Sequence, residues 1–294
     1  MPVTADQPRL RFAPSPSGRL HMGHAYSALF TWGEAARLGG EVLLRIEDID
    51  HTRCRPEHVD GIRQDLAWLG LTWPEPVRIQ SEHLSEYAAM LERLKAMGVV
   101  YPCFCTRAEI RAEIERSANA PHGPEGALYP GTCRGLGKAE IAEHIAAGRH
   151  PAWRLDLGAA LARIGDRKRL LWHDLGCGDV TGEPEQLGDA VLARKDIATS
   201  YHLAVVHDDA LQSITHVTRG KDLFHATHLH VLLQALLDLP RPVYHHHDLI
   251  TDEQGVRLAT RDNARTLEAM REAGVTADEI RQRLQAGRVA PETR

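Results

Sequence analysis

The stretch RFAPSPSGRLHMGH, residues 11–24, holds two histidines, His21 and His24, with Gly23 between them. Pro14 and Pro16 stiffen the approach, while Gly18 and Gly23 let backbone come close to a ligand. If the following residues are helical, both imidazoles stand at a helix N-terminus, where free N–H groups and the helix dipole favour phosphate. The arrangement predicts a grip on a nucleotide polyphosphate; capping and core histidines are the plain alternative.

Sulfur makes the second group. Cys103, Cys105 and Cys133, three of five cysteines, form a C-x-C pair and a third thiol, and residues 117–135 between them are rich in Gly and Pro and show no period. Three thiolates suit tetrahedral zinc, with water, His122 or a tyrosine oxygen as fourth ligand. Unligated thiols are the other reading, because zinc knuckles usually space their pair C-x-x-C. A closed ligand set leaves no open position, so a metal here is structural. Cys54 and Cys177 lack companions and read as ordinary thiols. The run His245, His246, His247 is a poorer metal candidate, since neighbours on a strand point to opposite faces. Arg163, Arg167, Lys168 and Arg169 form a solvated face or a meeting point for RNA phosphate.

These groups need elements to position them. A short apolar strand ends at Phe12; Ala25, Ala28, Leu29, Trp32, Ala35 and Ala36 then recur at helical spacing until Gly39 and Gly40. In EVLLRIED, Val42, Leu44 and Ile46 fall on one face of a strand and Leu43, Arg45 and Glu47 on the other. Strand, helix, strand predicts a right-handed crossover with its ligand at the carboxyl ends of the strands, where residues 13–21 and 47–50 lie. Pro56 opens a helix with Val59, Ile62, Leu66 and Leu69 as its buried stripe and Gly70 as its stop; another runs through Leu84, Tyr87, Leu91 and Leu94. Thr106 and Glu109 box the start of a short helix. Residues 100–190 read as an insertion of short strands and turns, DLFHATHLHVLLQALLDL as a long helix, and the chain beyond 265 as a helical pair boxed at Thr276 and Glu279.

Of the 294 residues, 43% are hydrophobic and 26% charged, enough for one large or two modest cores, and a net charge of −5 excludes only a uniformly basic nucleic-acid binder. No apolar run approaches a membrane span, and MPVTADQPRL lacks the basic start and apolar core of a signal peptide. A cytoplasmic monomer without a membrane partner is expected.

RFAPSPSGRLHMGHAYSALFTW with LLRIEDID resembles the signature of class I glutamyl-tRNA synthetases, in which a HIGH-type motif binds ATP on a Rossmann core. SYHLAVVHDDA at 200–210 and HVTRGKDLFHAT at 216–227 resemble later amino-acid-pocket segments of that family, and RPVYHHHDLI precedes the place of a KMSKS-type loop. The likeness covers most of the chain up to about residue 265. It implies an α/β class I aminoacyl-tRNA synthetase core split into 1–100 and 191–250, a zinc-binding insertion at 101–190, and a KMSKS-like loop with a short helical C-terminus at 251–294. It implies that Arg11 and Arg219 hold carboxylate oxygens of glutamate, Glu47 its ammonium, and that Ser15 and Tyr201 complete the hydrogen bonding. His21, Gly23 and His24 would bind ATP with its Mg2+, and Tyr129 in YPGTC would join Cys103, Cys105 and Cys133 on one Zn2+, as in the small relatives of these enzymes.

Two departures matter. Aligned with K-L-S-K-R-D, residues Arg257 to Asp262 carry Thr260 in place of the second lysine and Arg257 in place of the first. Arg257 and Arg261 are then the cations left for the phosphates, beside Thr260 on ATP. About thirty residues follow the core, too few for an anticodon-binding domain. This shape resembles the glutamyl-queuosine tRNA(Asp) synthetases, which implies activation of L-glutamate by ATP without tRNA and transfer to queuosine in the tRNA(Asp) anticodon. The competing readings are a slow or non-catalytic paralogue that binds tRNA or glutamate, and an H-x-G-H nucleotidyltransferase.

Overall fold

The computed structural model describes residues 7–116, 122–124, 126–197, 199–250 and 265–285. Strand β1 (Arg9–Phe12) leads through a turn into helix α1 (Met22–Leu38), which ends where Gly39 turns left-handed at φ 67°. Strand β2 (Glu41–Ile46) returns parallel to β1, in register from Arg9 on Glu41 to Phe12 on Leu44. Helix α2 (Pro56–Trp68) starts on its proline, and Gly70 at φ 71° turns the chain away. Strand β3 (Arg78–Ile79) then extends the parallel sheet beside β2, and helix α3 (Leu84–Ala96) follows.

The middle of the chain comprises β4 (Val100–Cys103), α4 (Arg107–Arg116), the two-residue strands β5 (His122–Gly123) and β6 (Gly126–Ala127), α5 (Lys138–Ala146), β7 (Ala152–Leu155) and α6 (Leu157–Ile164). The Thr106 hydroxyl accepts from the Glu109 N–H at 3.2 Å while the Glu109 carboxylate accepts from the Thr106 N–H at 2.6 Å, so the capping box forms. Next come β8 (Leu171–Asp174), β9 (Gly178–Thr181), β10 (Val191–Ala193), α7 (Tyr201–Leu211), β11 (His216–Gly220), α8 (Phe224–Leu237) and β12 (Val243–His247). Helices α9 (Leu267–Glu272) and α10 (Ala277–Gln285) follow, the second boxed by Thr276 and Glu279.

Strands β4, β7 and β10 form an antiparallel sheet, while β11, β12 and β8 run parallel with β9 antiparallel at the edge. The two parallel sheets meet at β1 and β11: the Thr215 N–H donates to the Arg9 carbonyl at 2.9 Å, and the Arg9 N–H to the Thr215 hydroxyl at 2.8 Å. Phe12, Ile46, Gly220 and His247 are therefore the carboxyl-terminal residues of parallel strands, and the loops after them converge. One apolar core gathers around α8 with Trp172 and Tyr244; the other lies between β1, β2, α1 and α2 and takes in Leu267, Met270, Ile280 and Leu284 of the last two helices.

Arg45 lies on the opposite face of β2 from Val42, Leu44 and Ile46 and is buried as well, because a parallel strand covered on both faces has no solvent side. Helix α3 runs through Leu84, Tyr87, Leu91 and Leu94 as expected, and its buried stripe begins at Tyr87. The segment 100–190 is not only strands and turns: it contains α4, α5 and α6, and its β8 and β9 join the sheet of β12. No described helix is long and apolar enough to cross a membrane.

Candidate active site

His21 is the N-cap of α1, with extended backbone at φ −131°. Its Nδ1 accepts from the Gly23 N–H at 3.1 Å, and the His24 Nδ1 accepts from the His21 N–H at 3.3 Å, a capping box built from imidazoles whose centroids lie 3.9 Å apart. A ring nitrogen that accepts from a backbone N–H carries no proton, so each neutral ring keeps its proton on Nε2. Nδ1 of each ring is thus committed to the first turn of α1.

Arg11, Ser15, Glu47, Tyr201 and Arg219 line one cavity of about 340 Å³ together with His21, Gly23 and His24. Chain positions more than 200 residues apart meet there because β1 and β11 are neighbours. The two arginines sit differently. Arg11 is an ion pair, its Nε 3.0 Å from Oδ1 of Asp209, and Nη1 donates to the Thr218 carbonyl at 3.3 Å. Asp209 also takes Nη1 of Arg45 at 2.8 Å, and Arg45 reaches Glu47 at 3.1 Å. Burial would raise the Asp209 carboxyl, but the Arg11 and Arg45 charges outweigh it and hold Asp209 below the usual carboxylate range. Burial prevails at Glu47 and pushes its carboxyl up despite Arg45 and Arg11.

Arg219 is 5% exposed, and no ion pair among the described residues includes it. Its Nε donates to Nε2 of His246 at 3.0 Å, Nη1 to Nδ1 of His230 at 3.2 Å and to the Tyr201 hydroxyl at 3.4 Å, and Nη2 to the Thr227 hydroxyl at 2.5 Å. All four acceptors are neutral groups. A buried cation with only neutral partners favours an anion in the adjoining cavity.

A second cavity, of about 650 Å³, shares Ser15, Glu47 and Tyr201 with the first and continues to Tyr129, Arg154 and Arg194. Tyr129 leads to the thiols. Sγ of Cys103, Cys105 and Cys133 lie within 4.8 Å of one another; the Tyr129 hydroxyl is 3.4 Å from Cys103 and 3.5 Å from Cys105, and Cys105 is 3.4 Å from Cys133. Tetrahedral zinc with bonds of about 2.3 Å sets its sulfurs about 3.8 Å apart, so three thiols and a phenol oxygen fit that ion. Burial pushes the Cys105 thiol up to about 11, which leaves it protonated near neutrality unless a cation stands beside it. The backbone of His122 lies in β5, and its side chain is outside the described residues.

Arg257, Thr260 and Arg261 also lie outside the described residues. The basic group of the insertion is largely engaged: Arg167 pairs with Glu185, and Arg169 donates to the Ala235 carbonyl at 2.9 Å. In the histidine run, His246 meets Arg219 on one face, whereas His247 lies 3.1 Å from the Ser27 hydroxyl and His245 3.3 Å from Glu34. Sequence reasoning missed Arg45, Asp209, Asp174, Thr227, His230 and His246. The signal available was Asp208 and Asp209, adjacent acids shortly after the apolar residues 203–206 of α7, which predict buried cations nearby.

A family model for tRNA synthetases class I (E and Q), catalytic domain, matches residues 7–286. The chain is 46% identical over 280 residues to a glutamyl-Q tRNA(Asp) synthetase of Rhodobacter capsulatus, covering 92% of this chain and 97% of that protein. To a glutamate–tRNA ligase of Prochlorococcus marinus it is 37% identical over 279 residues, 92% of this chain and 56% of that one. The crystal structure of a glutamate-tRNA synthetase from Elizabethkingia anophelis matches with a TM-score of 0.73 at 29% identity, over 87% of this chain and 53% of that chain, so the protein spans about half the length of this neighbour. With a family match over nearly its whole length, the chain belongs to the catalytic-domain family of class I tRNA synthetases for E and Q and is a ligase of that family.

Proposed function

We propose that the protein activates L-glutamate with ATP in the absence of tRNA and transfers the glutamyl group to queuosine in the anticodon of tRNA(Asp), acting in the cytoplasm. The observation that carries the reading is Arg219, a buried guanidinium without a carboxylate partner among the described residues, facing the cavity that His21 and His24 also line. A guanidinium N–H left over from its four bonds to neutral groups gives a carboxylate oxygen a charge-assisted hydrogen bond. Arg219 and Arg11 take carboxylate oxygens of glutamate, Glu47 takes its ammonium, and Ser15 and Tyr201 complete the set. The names of the relatives support the choice of amino acid and of acceptor.

The first step needs position and charge stabilisation more than a base, because the α-carboxylate is already ionised near neutrality. One of its oxygens bonds to the α-phosphorus of ATP as the bond to pyrophosphate breaks. His21, His24 and the N-terminus of α1 steady the phosphates, with Arg257 and Arg261 as cations and Thr260 at the KMSKS-like position. Mg2+ enters as the counter-ion of ATP. In the second step a hydroxyl of the queuosine cyclopentene ring attacks the carbonyl carbon of the adenylate and releases AMP. Cys103, Cys105, Tyr129 and Cys133 would hold one structural Zn2+; elemental analysis near one zinc per chain, lost with a fall in Tm on chelation, supports this, and a zinc-free protein of unchanged Tm refutes it.

Glutamate-dependent ATP–pyrophosphate exchange without tRNA tests the activation. It is expected in the wild type, and Arg219→Leu should lower it on the order of 10- to 150-fold, the worth of a charge-assisted hydrogen bond. Labelled glutamate should enter queuosine-containing tRNA(Asp) and not tRNA(Glu). Thr260 favours one competitor, a glutamate binder that does not activate: binding without exchange, restored by Thr260→Lys, would establish it in place of the ligase reading. Exchange dependent on a phosphorylated small molecule would mark a nucleotidyltransferase.

A further inference from the structure

Among the described residues, the mechanism leaves four buried imidazoles unused, those of His228, His230, His246 and His247, and two of them, His230 and His246, touch Arg219. His246 is 3% exposed and His230 2%. The Nδ1 of His246 lies 2.6 Å from Oδ2 of Asp174, itself buried; Oδ1 of Asp174 takes the Gly176 N–H at 2.8 Å, and Oδ2 also takes the His246 N–H at 3.2 Å. Burial would raise the Asp174 carboxyl, but these hydrogen bonds keep it ionised and acceptor-only. The His246 proton therefore sits on Nδ1, and Nε2 is a lone pair facing Nε–H of Arg219. Oriented the other way, His230 turns Nδ1 to Arg219, which can only donate, so its proton is on Nε2 and points to Nδ1 of His202, 3.1 Å away.

From this geometry we infer that Asp174, His246 and His230 are positioning residues that hold the Arg219 fork by neutral lone pairs and so reserve its charge for the substrate carboxylate. A carboxylate in direct contact would orient the guanidinium equally well and would also neutralise it. An imidazole between Asp174 and Arg219 gives the orientation without that loss. Arg219 has five N–H donors and four partners among the described residues, which leaves a donor for the cavity. Burial and the Arg219 charge keep both rings neutral, His246 down to about 3 and His230 well below its ordinary value, so neither turns from acceptor to donor near neutrality.

The inference rests on the reading of Arg219 as a glutamate ligand, and the experiment separates the two. Calorimetry with L-glutamate is run on wild type, Arg219→Leu, His246→Leu and His246→Gln, with KM for glutamate and for ATP measured in parallel. Wild-type binding lost in Arg219→Leu establishes the glutamate reading; absence of wild-type binding overturns both. His246→Leu should raise Kd and KM for glutamate about tenfold, the loss of one hydrogen bond to a charged group, while KM for ATP moves less than about twofold. His246→Gln places an amide oxygen near Nε2 and should restore glutamate affinity to within about threefold of wild type. Equal affinities for His246→Leu and wild type, with Arg219→Leu inactive, overturn this inference alone. Should the leucine variant not fold, 15N spectra of labelled histidine in the wild type decide: an Nδ1–H tautomer at His246 and an Nε2–H tautomer at His230 are required, and the reverse pattern refutes the arrangement.

Discussion

Arg11 and Arg219 enter the same cavity from adjacent strands, and their surroundings are opposite. Arg11 belongs to a charged lattice in which it shares Asp209 with Arg45, and Glu47 and Asp208 also pair with Arg45. Arg219 is held by two imidazoles, a threonine and a tyrosine. Both arginines are 5% exposed, so burial does not distinguish them; the charge of the neighbours does. A compensated arginine ties strands and helices together. An uncompensated one stores attraction for a ligand at some expense in stability.

The comparison breaks most readily at Asp209. Asp209→Asn leaves Arg11 and Arg45 without their shared counter-charge and should lower unfolding free energy by about 3–5 kcal/mol, measured by urea titration, as expected when one partner of a buried pair is removed. Arg219→Met removes a charge that has no such partner, and should change stability by less than about 1 kcal/mol in either direction while weakening glutamate binding on the order of 10- to 150-fold, since a well-packed apolar side chain can replace a buried ion. Equal destabilisation by both variants would erase the distinction.

Acid sharpens the contrast more gently. Burial holds His216, His228, His230, His246 and His247 below their ordinary values, His246 at about 3. Their folded pKa is depressed, so the stability they leave intact above about pH 6.5 is lost as pH falls: the unfolded chain takes up protons that the native rings refuse. The arginine lattice behaves otherwise, because Asp209 is depressed from a carboxylate value and its contribution persists until pH drops below about 4. Urea midpoints should therefore decline in two stages, with His246→Gln softening the first by at most about 1.4 kcal/mol per pH unit below 6.5. A midpoint constant from pH 7.5 to 5 would contradict the neutral state of these rings.

The features legible in the sequence were those written locally. Gly39, Pro56, Gly70, Thr106 and Thr276 mark helix ends through backbone conformation or capping chemistry, and each does so in the structure. The parallel crossover of β1 and β2 followed from apolar periodicity. Periodicity is silent about charge inside a core: Arg45 alternates with Leu44 and Ile46 as a surface residue would, and its partner Asp209 lies 164 positions later. The same limit hid the support of Arg219, because three consecutive histidines in a strand reveal nothing of the aspartate, Asp174, that selects one of them. The roles of Arg11, Ser15, Glu47, Tyr201 and Arg219 came from resemblance to a family; their side chains converge only through tertiary contact between β1 and β11.

Ser15, Glu47 and Tyr201 face both cavities, so the partition between the smaller and the larger is one layer of side chains. A substitution at any of these three residues would therefore reshape both cavities at once, so that neither can be altered there in isolation.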